Sequence, residues 1–162
     1  MNRPQNIAIG LGTASLLLLL AVLGFQYIGR LPPCELCLWQ RWPHVAAVVV
    51  GYGGPLLIRA GLLERGAARS VAGLAALLIA ISGAIGVYHA GVEWHWWKGP
   101  QSCTGPAFQY TGGPLDLNAP VVMCDMAAWR LFGLSLAGYN ALVSFLIAGT
   151  GSFLLANSRK KT

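Results

Sequence analysis

The sequence predicts an all-α membrane protein, an antiparallel bundle of four transmembrane helices with a long outer loop. Hydrophobic residues make up 56% of the 162-residue chain and charged residues only 10%, whereas soluble domains carry about 25% charged residues. The mean hydropathy is +0.59. Roughly 20 apolar residues in a helix are enough to cross a bilayer. Four long stretches contain no charged residue, at positions 4–29, 42–58, 70–92 and 131–158.

The four stretches predict spans at about 6–28, 36–58, 70–91 and 131–156, within a single transmembrane domain over residues 1–162. The first is long, lacks a small-residue cleavage site and precedes three further spans, so we expect it to be retained rather than removed as a signal peptide. The second is short unless its helix begins near Cys34, which places Arg41 in its first turns.

The segment 93–130 differs from the spans because it is rich in residues that interrupt helices. Its prolines and glycines argue against a long regular helix across the whole loop. They are Pro100, Pro106, Pro114, Pro120, Gly99, Gly105, Gly112 and Gly113. We therefore expect an outer loop able to bring a cysteine pair to two different partners.

The distribution of Lys and Arg predicts the orientation, since cytoplasmic segments carry an excess of basic residues. One side of the predicted bundle holds a single acid, Glu64, and seven basic residues: Arg3, Arg59, Arg65, Arg69, Arg159, Lys160 and Lys161. The other side balances Arg30, Arg41, Lys98 and Arg130 with Glu35, Glu93, Asp116 and Asp125. Both termini are therefore expected in the cytoplasm, and the basic residues form no patch typical of nucleic-acid binding.

All four cysteines lie on the outer side, where disulfides can form. Cys34 and Cys37 form a CxxC motif at the start of the second span, and Cys103 and Cys124 lie 21 positions apart in the outer loop. Four cysteines allow three pairings. We expect Cys34–Cys37 and Cys103–Cys124 as the resting bonds, with Cys34 or Cys37 exchanging with a loop cysteine during turnover.

The CxxC motif favours redox chemistry over a structural role. A bond that closes so short a loop removes little chain entropy, whereas a helix N-terminus and nearby cations stabilise a thiolate. Two dithiol pairs on one face predict an electron relay between a water-side thiol partner and a lipid-soluble acceptor. The alternative is a structural membrane protein with two inert disulfides.

Two further residues are candidate ligands of the acceptor. Arg41 lies one helical turn beyond Cys37 on the same face. A charged side chain at the edge of the bilayer is energetically costly, which favours a functional role. We predict that it supports the Cys37 thiolate and hydrogen-bonds a quinone carbonyl, with snorkelling as the alternative. His89 ends the third span at a similar depth and is expected to line the same pocket or to handle protons.

Metal and haem sites are not expected. Structural zinc usually needs two close-spaced ligand pairs, and the sequence has one. CELCL lacks the final histidine of a c-type haem attachment motif, and three histidines at one level do not make the ligand pairs of a di-haem protein. A haem-based quinone oxidoreductase remains an alternative, which a visible spectrum would detect.

The stretch PPCELCLWQR, from Pro32 to Arg41, resembles the second-helix signature of the disulfide bond formation protein B family. The resemblance runs through nearly the whole chain in order. It continues with His89, Cys103, the PLD of 114–116, the CD of 124–125 and the WRLFGLSL of 129–136. In this chain Gln40 stands where some members have an acid, and the segment between Cys103 and Cys124 is shorter than in the best-known members.

The resemblance implies an enzyme of the bacterial inner membrane, a protein-dithiol:quinone oxidoreductase with its active cysteines on the periplasmic side. Cys103 and Cys124 would take electrons from a reduced DsbA-like thioredoxin-fold protein, with Cys103 as the attacked residue. Electrons would then pass through Cys34 and Cys37 to ubiquinone or menaquinone. The quinone-proximal cysteine, the quinone-supporting arginine and the third-helix histidine of the family match Cys37, Arg41 and His89.

A related alternative is a bacterial vitamin K epoxide reductase homologue, which is similar to this family in architecture and chemistry. Those proteins place their CxxC motif on a later helix. The early position of Cys34 and Cys37 in this chain therefore argues against that family.

Overall fold

The computed structural model describes residues 3–104 and 122–158. Four long helices dominate this part of the chain, and they agree with the predicted spans to within a few residues except at the start of the last. They are α1 (Arg3–Tyr27), α2 (Glu35–Arg59), α3 (Ala68–Glu93) and α4 (Leu136–Asn157), with a short 3₁₀ turn (Arg65–Ala67) before α3. Helix α2 packs against α1 and α3, and α3 packs against α4.

The N-terminus of α2 forms at the first cysteine of the CxxC motif. Cys34 has extended backbone angles, and its sulfur accepts a hydrogen bond from the backbone N–H of Cys37 at 3.2 Å. Such a bond satisfies one of the amides that a helix start leaves unpaired. The sequence prediction that α2 begins near Cys34 is therefore confirmed, and the motif itself is the helix cap.

Small residues allow the helices to approach closely. A Cβ atom on Gly51 of α2 would lie only 2.7 Å from the carbonyl oxygen of Ala8 on α1. A Cβ atom on Gly86 of α3 would lie 3.0 Å from the carbonyl oxygen of Ala137 on α4. Close backbone contact of this kind is the usual means of packing helices in lipid. Between them lies an apolar core of Leu11, Ala47, Ala75, Ala76, Ile79 and Ala148.

Three helical segments of the described residues are long and apolar enough to cross a membrane: Arg3–Tyr27, Arg65–Glu93 and Leu136–Asn157. Large apolar side chains on their outer faces are exposed in the isolated chain, among them Leu17, Leu20, Leu77, Leu146 and Phe153. Helix α2 is equally long, but its charged residues, its histidine and its two internal prolines make it less apolar. The chain is therefore a membrane protein with three candidate spans and a fourth helix packed among them.

The start of α4 differs from the prediction. The sequence predicted a span that begins at residue 131. Residues 130–135 instead form a short β-hairpin with two residues in each strand, in which Arg130 pairs with Ser135 and Leu131 with Leu134. Phe132 and Gly133 form its turn with positive φ angles of 49° and 82°. Two successive positive φ angles are typical of tight hairpin turns. Helix α4 then starts at Leu136, capped by Ser135, whose hydroxyl accepts from Gly138 N–H at 3.2 Å.

The predicted outer loop 93–130 is described in part. Helix α3 ends at Glu93, and no helix forms at 94–104 or 122–129. Residues 105–121, which include Asp116 and most of the loop prolines, lie outside the described residues. The basic residues Arg159, Lys160 and Lys161 lie outside them too.

Candidate active site

The two cysteine pairs meet at one end of the bundle. Cys34, Cys103 and Cys124 are buried in a single apolar cluster with Leu36 and Val92, and Cys37 and Val122 pack against it. The residues of this cluster are far apart in the sequence. They meet because the start of α2, the end of α3 and the outer loop converge at this end of the bundle. The four predicted catalytic cysteines are therefore brought together.

The loop pair is bonded, as the sequence predicted. Cys103 and Cys124 form a disulfide with a Cα–Cα distance of 5.3 Å. The backbone N–H of Cys124 also donates to the carbonyl of Cys103 at 2.7 Å. The hydroxyl of Ser102 donates to the carboxylate of Glu35 in the first turn of α2, which ties this part of the loop to the CxxC helix.

The CxxC pair differs from the expectation of a resting bond. Cys34 and Cys37 are free cysteines whose sulfur atoms lie 2.6 Å apart. The hydrogen bond with Cys37, together with burial, raises the pKa of the Cys34 thiol. Sulfur atoms this close to each other can form a disulfide with little movement, as expected for a pair that cycles between dithiol and disulfide.

A cavity of about 180 Å³ opens beside Cys37, between α1, α2, α4 and the turn that joins α1 to α2. Cys37 and Arg41 both line it. Arg41 is held in place by a hydrogen bond of 2.6 Å from its Nη1 to the Oε1 of Gln26. Most other lining residues are apolar, and they include Leu18, Leu19, Val22, Phe25 and Val143. A cavity of about 150 Å³ can hold benzene, so this one has room for a substituted ring.

His89 lies on the other side of the CxxC pair. Its Nε2 is 3.5 Å from the sulfur of Cys34 and 3.7 Å from Oε1 of Glu93, and its Nδ1 is 2.8 Å from Nε2 of Gln40. The backbone of Cys124 also hydrogen-bonds the ring. His89 is not among the residues that line the described cavity, whereas Cys37 and Arg41 are. The predicted role of His89 in quinone binding stays a prediction, and its contacts place it between the two cysteine pairs.

The family model of disulfide bond formation protein DsbB matches residues 4–154. The chain belongs to the DsbB family. No curated protein and no solved structure gives a significant match to it. Membership in the DsbB family makes the chain a membrane protein of disulfide bond formation, which agrees with the apolar helices and the two converging cysteine pairs.

A polar network that was not predicted from the sequence lies inside this DsbB-family bundle. Its members are buried or partly buried residues of all four helices: Ser15, Gln40, His44, Ser82, His89, Asn140 and Ser144. A signal was available, since polar residues inside apolar spans are costly and tend to be functional. Asn140 and His44 also line the cavity beside Cys37.

Three side chains of the site could hold a metal ion. The sulfurs of Cys34 and Cys37 and a ring nitrogen of His89 all lie within 4.8 Å of one another. Thiolate and imidazole ligands suit soft or borderline metals such as zinc. The third ligand comes from another helix, so the spacing of the cysteines in the sequence does not reveal it.

Proposed function

We propose that this DsbB-family protein is an inner-membrane thiol:quinone oxidoreductase. It reoxidises a periplasmic DsbA-type dithiol oxidase and passes the electrons through two cysteine pairs to ubiquinone or menaquinone, which sustains disulfide formation. One observation carries the proposal: Cys37 faces the cavity that Arg41 lines, while Cys34 packs against the loop disulfide. The CxxC pair thus connects the loop with the cavity.

The proposed topology is a single transmembrane domain over residues 1–162, in which α2 is the fourth span and both termini are cytoplasmic. The basic residues Arg3, Arg59, Arg65 and Arg69 support this orientation, because they lie at the end of the bundle away from the cysteines. The cysteine cluster then lies on the periplasmic side. A thioredoxin-fold partner meets it from water, and a quinone reaches the cavity from lipid.

The first step is disulfide exchange with the partner. A partner thiolate attacks the sulfur of Cys103, a mixed disulfide forms, and Cys124 leaves as a thiolate. Both loop sulfurs are buried in the present form, so the loop has to open for this attack. Exchange rates depend on the leaving thiol and on how easily the attacking thiolate reaches the disulfide. The hydrogen bond from Ser102 to Glu35 restrains the loop and thereby controls that access.

The second step transfers the electrons to the CxxC pair in its oxidised form. The Cys124 thiolate attacks Cys34, which it already neighbours, and Cys37 leaves as a thiolate into the cavity. The second partner cysteine attacks the mixed disulfide and releases Cys103, which then attacks Cys124. The loop bond re-forms, Cys34 is released, and the partner leaves oxidised.

The residues of the cavity fit a quinone headgroup. When bound there, a quinone would supply the acceptor for two electrons and two protons from the Cys34–Cys37 dithiol. Arg41 supplies a charged hydrogen-bond donor beside Cys37, and Gln26 holds it in position. The apolar side chains of Leu18, Leu19 and Val22 exclude water from the reacting sulfur.

The test is quinone reduction by the purified protein in detergent, driven by a reduced periplasmic thioredoxin-fold dithiol. We expect turnover in the wild type and none in Cys37→Ser, with the helical content of the variant unchanged. Equal turnover in Cys37→Ser, or no turnover with either ubiquinone or menaquinone, would contradict the proposal. The second outcome would favour a structural protein with two inert disulfides.

A further inference from the structure

A chain of hydrogen bonds inside the bundle joins all four helices and ends at Cys34. Ser15 Oγ lies 3.2 Å from His44 Nδ1, and His44 Nε2 lies 3.2 Å from Asn140 Oδ1. Asn140 Nδ2 donates to Gln40 Oε1 at 2.8 Å. Gln40 Nε2 lies 2.8 Å from His89 Nδ1, and His89 Nε2 lies 3.5 Å from the sulfur of Cys34.

Backbone carbonyls fix the direction of this chain, because they only accept. Asn140 Nδ2 also donates to the carbonyl of Ser82 at 3.3 Å, which identifies this atom as the amide nitrogen. Gln40 Oε1 therefore accepts from Asn140. Gln40 Nε2 in turn donates to the carbonyl of Leu36 at 3.2 Å, and its second hydrogen points to His89.

The direction of the chain sets the tautomer of His89. Since Gln40 donates to Nδ1, this nitrogen carries no proton, and the neutral ring carries its proton on Nε2. This assignment follows from the hydrogen-bond network. The Nε2–H faces the sulfur of Cys34, and the backbone of Cys124 is a second acceptor for the same hydrogen. Glu93 Oε1, at 3.7 Å, is beyond ordinary hydrogen-bond distance.

We propose that the chain from Ser15 to Gln40 makes His89 a fixed hydrogen-bond donor to the sulfur of Cys34. The proposal rests on the proposed function. It concerns the step in which Cys103 attacks Cys124, the loop disulfide re-forms, and Cys34 takes the bonding electron pair and leaves as a thiolate. The Nε2–H stabilises that developing charge, because a hydrogen bond to a thiolate is stronger than a hydrogen bond to a neutral sulfur.

The same assignment excludes two other roles for the neutral ring. His89 cannot take a proton from Cys34, because the nitrogen that faces the sulfur already carries one. Nor can it bind a metal together with Cys34 and Cys37 until the ring changes tautomer. Gln40 and Asn140 are thus positioning residues that act on Cys34 through His89.

The first test is ¹⁵N NMR of the full chain in lipid vesicles with labelled histidine, in which His89→Gln identifies the His89 signals. We expect an unprotonated Nδ1 and a protonated Nε2 at neutral pH. In Gln40→Glu a carboxylate replaces the donor, so the proton should move to Nδ1. Protonation of Nδ1 in the wild type, or an unchanged tautomer in Gln40→Glu, would overturn the proposal. No quinone or partner takes part, so this failure is distinct from a failure of the proposed function.

The second test is the rate at which the loop dithiol reduces the CxxC pair in one turnover without quinone, measured by acid quenching and thiol alkylation. His89→Leu removes the donor and should slow this step about ten-fold or more. His89→Gln keeps an N–H donor and should restore most of the rate. Equal rates in the two variants would overturn the proposal, because a purely packing role does not distinguish them.

Discussion

The two cysteine pairs are held by different parts of the fold. This difference is expected if one pair reacts with a quinone and the other with a dithiol partner. Cys34 and Cys37 belong to the first turn of α2, where the backbone N–H of Cys37 and the ring of His89 both contact the sulfur of Cys34. Cys103 and Cys124 belong to a loop, and in its described residues they are held by their own bond, by packing in the cysteine cluster and by the contact of Ser102 with Glu35. The helical pair is fixed in a helix beside a cavity, whereas the described part of the loop is joined to that helix by side-chain contacts.

The largest effect is expected from removing the loop cysteine that meets the partner. With a thioredoxin-fold partner that has one active cysteine, Cys124→Ser should accumulate a mixed disulfide through Cys103 under oxidising conditions. Cys103→Ser should accumulate none, because the sulfur that matches the attacked position is absent. Non-reducing electrophoresis measures both. Trapping through Cys124 in the Cys103→Ser variant would reverse the assigned order of the loop cysteines.

A smaller effect is expected at the helical pair. Arg41→His should raise the KM for quinone about ten-fold or more, because a charge-assisted hydrogen bond to the bound ring is lost. The KM for the dithiol partner should not change. The matched control is Arg30→His, which alters an exposed arginine that does not line the cavity. An unchanged KM for quinone in Arg41→His would exclude the assigned role.

The smallest effect concerns the tie between the two pairs. Glu35→Ala removes the acceptor for Ser102, so the loop should open more easily and react with the reduced partner up to about five-fold faster. Stopped-flow fluorescence of the partner can follow this reaction. Glu64→Ala, at the far end of the bundle, is the control and should leave the rate unchanged. A slower reaction in Glu35→Ala would mean that Glu35 instead presents the loop.

The four long helices and the start of α2 could be predicted because each depends on local sequence. An apolar stretch between charges sets the length of a helix, and Cys34 after two prolines sets its beginning. The start of α4 could not be predicted in this way. Its apolar residues 131–134 suit a span, but the hairpin turn at Phe132 and Gly133 takes them out of the helix.

The candidate site residues could be chosen from the motif, but their mutual arrangement could not be predicted. The depth of His89 suggested a place in the pocket with Arg41, whereas the rotation of α3 turns its ring towards Cys34. Asn140 was not predicted at all, because its contacts with Gln40 and Ser82 depend on which helix faces meet. Spacing along one helix does not determine how helices face each other.

The most direct test of the account compares two double variants in which only one sulfur of each pair remains. Cys37→Ser with Cys103→Ser leaves Cys34 and Cys124, which we predict to form a disulfide detectable by mass spectrometry of the purified protein. Cys34→Ser with Cys103→Ser leaves Cys37 and Cys124, which should stay unbonded because Cys37 faces the cavity. A bond in the second variant and none in the first would contradict the division in which Cys34 serves the loop and Cys37 the quinone.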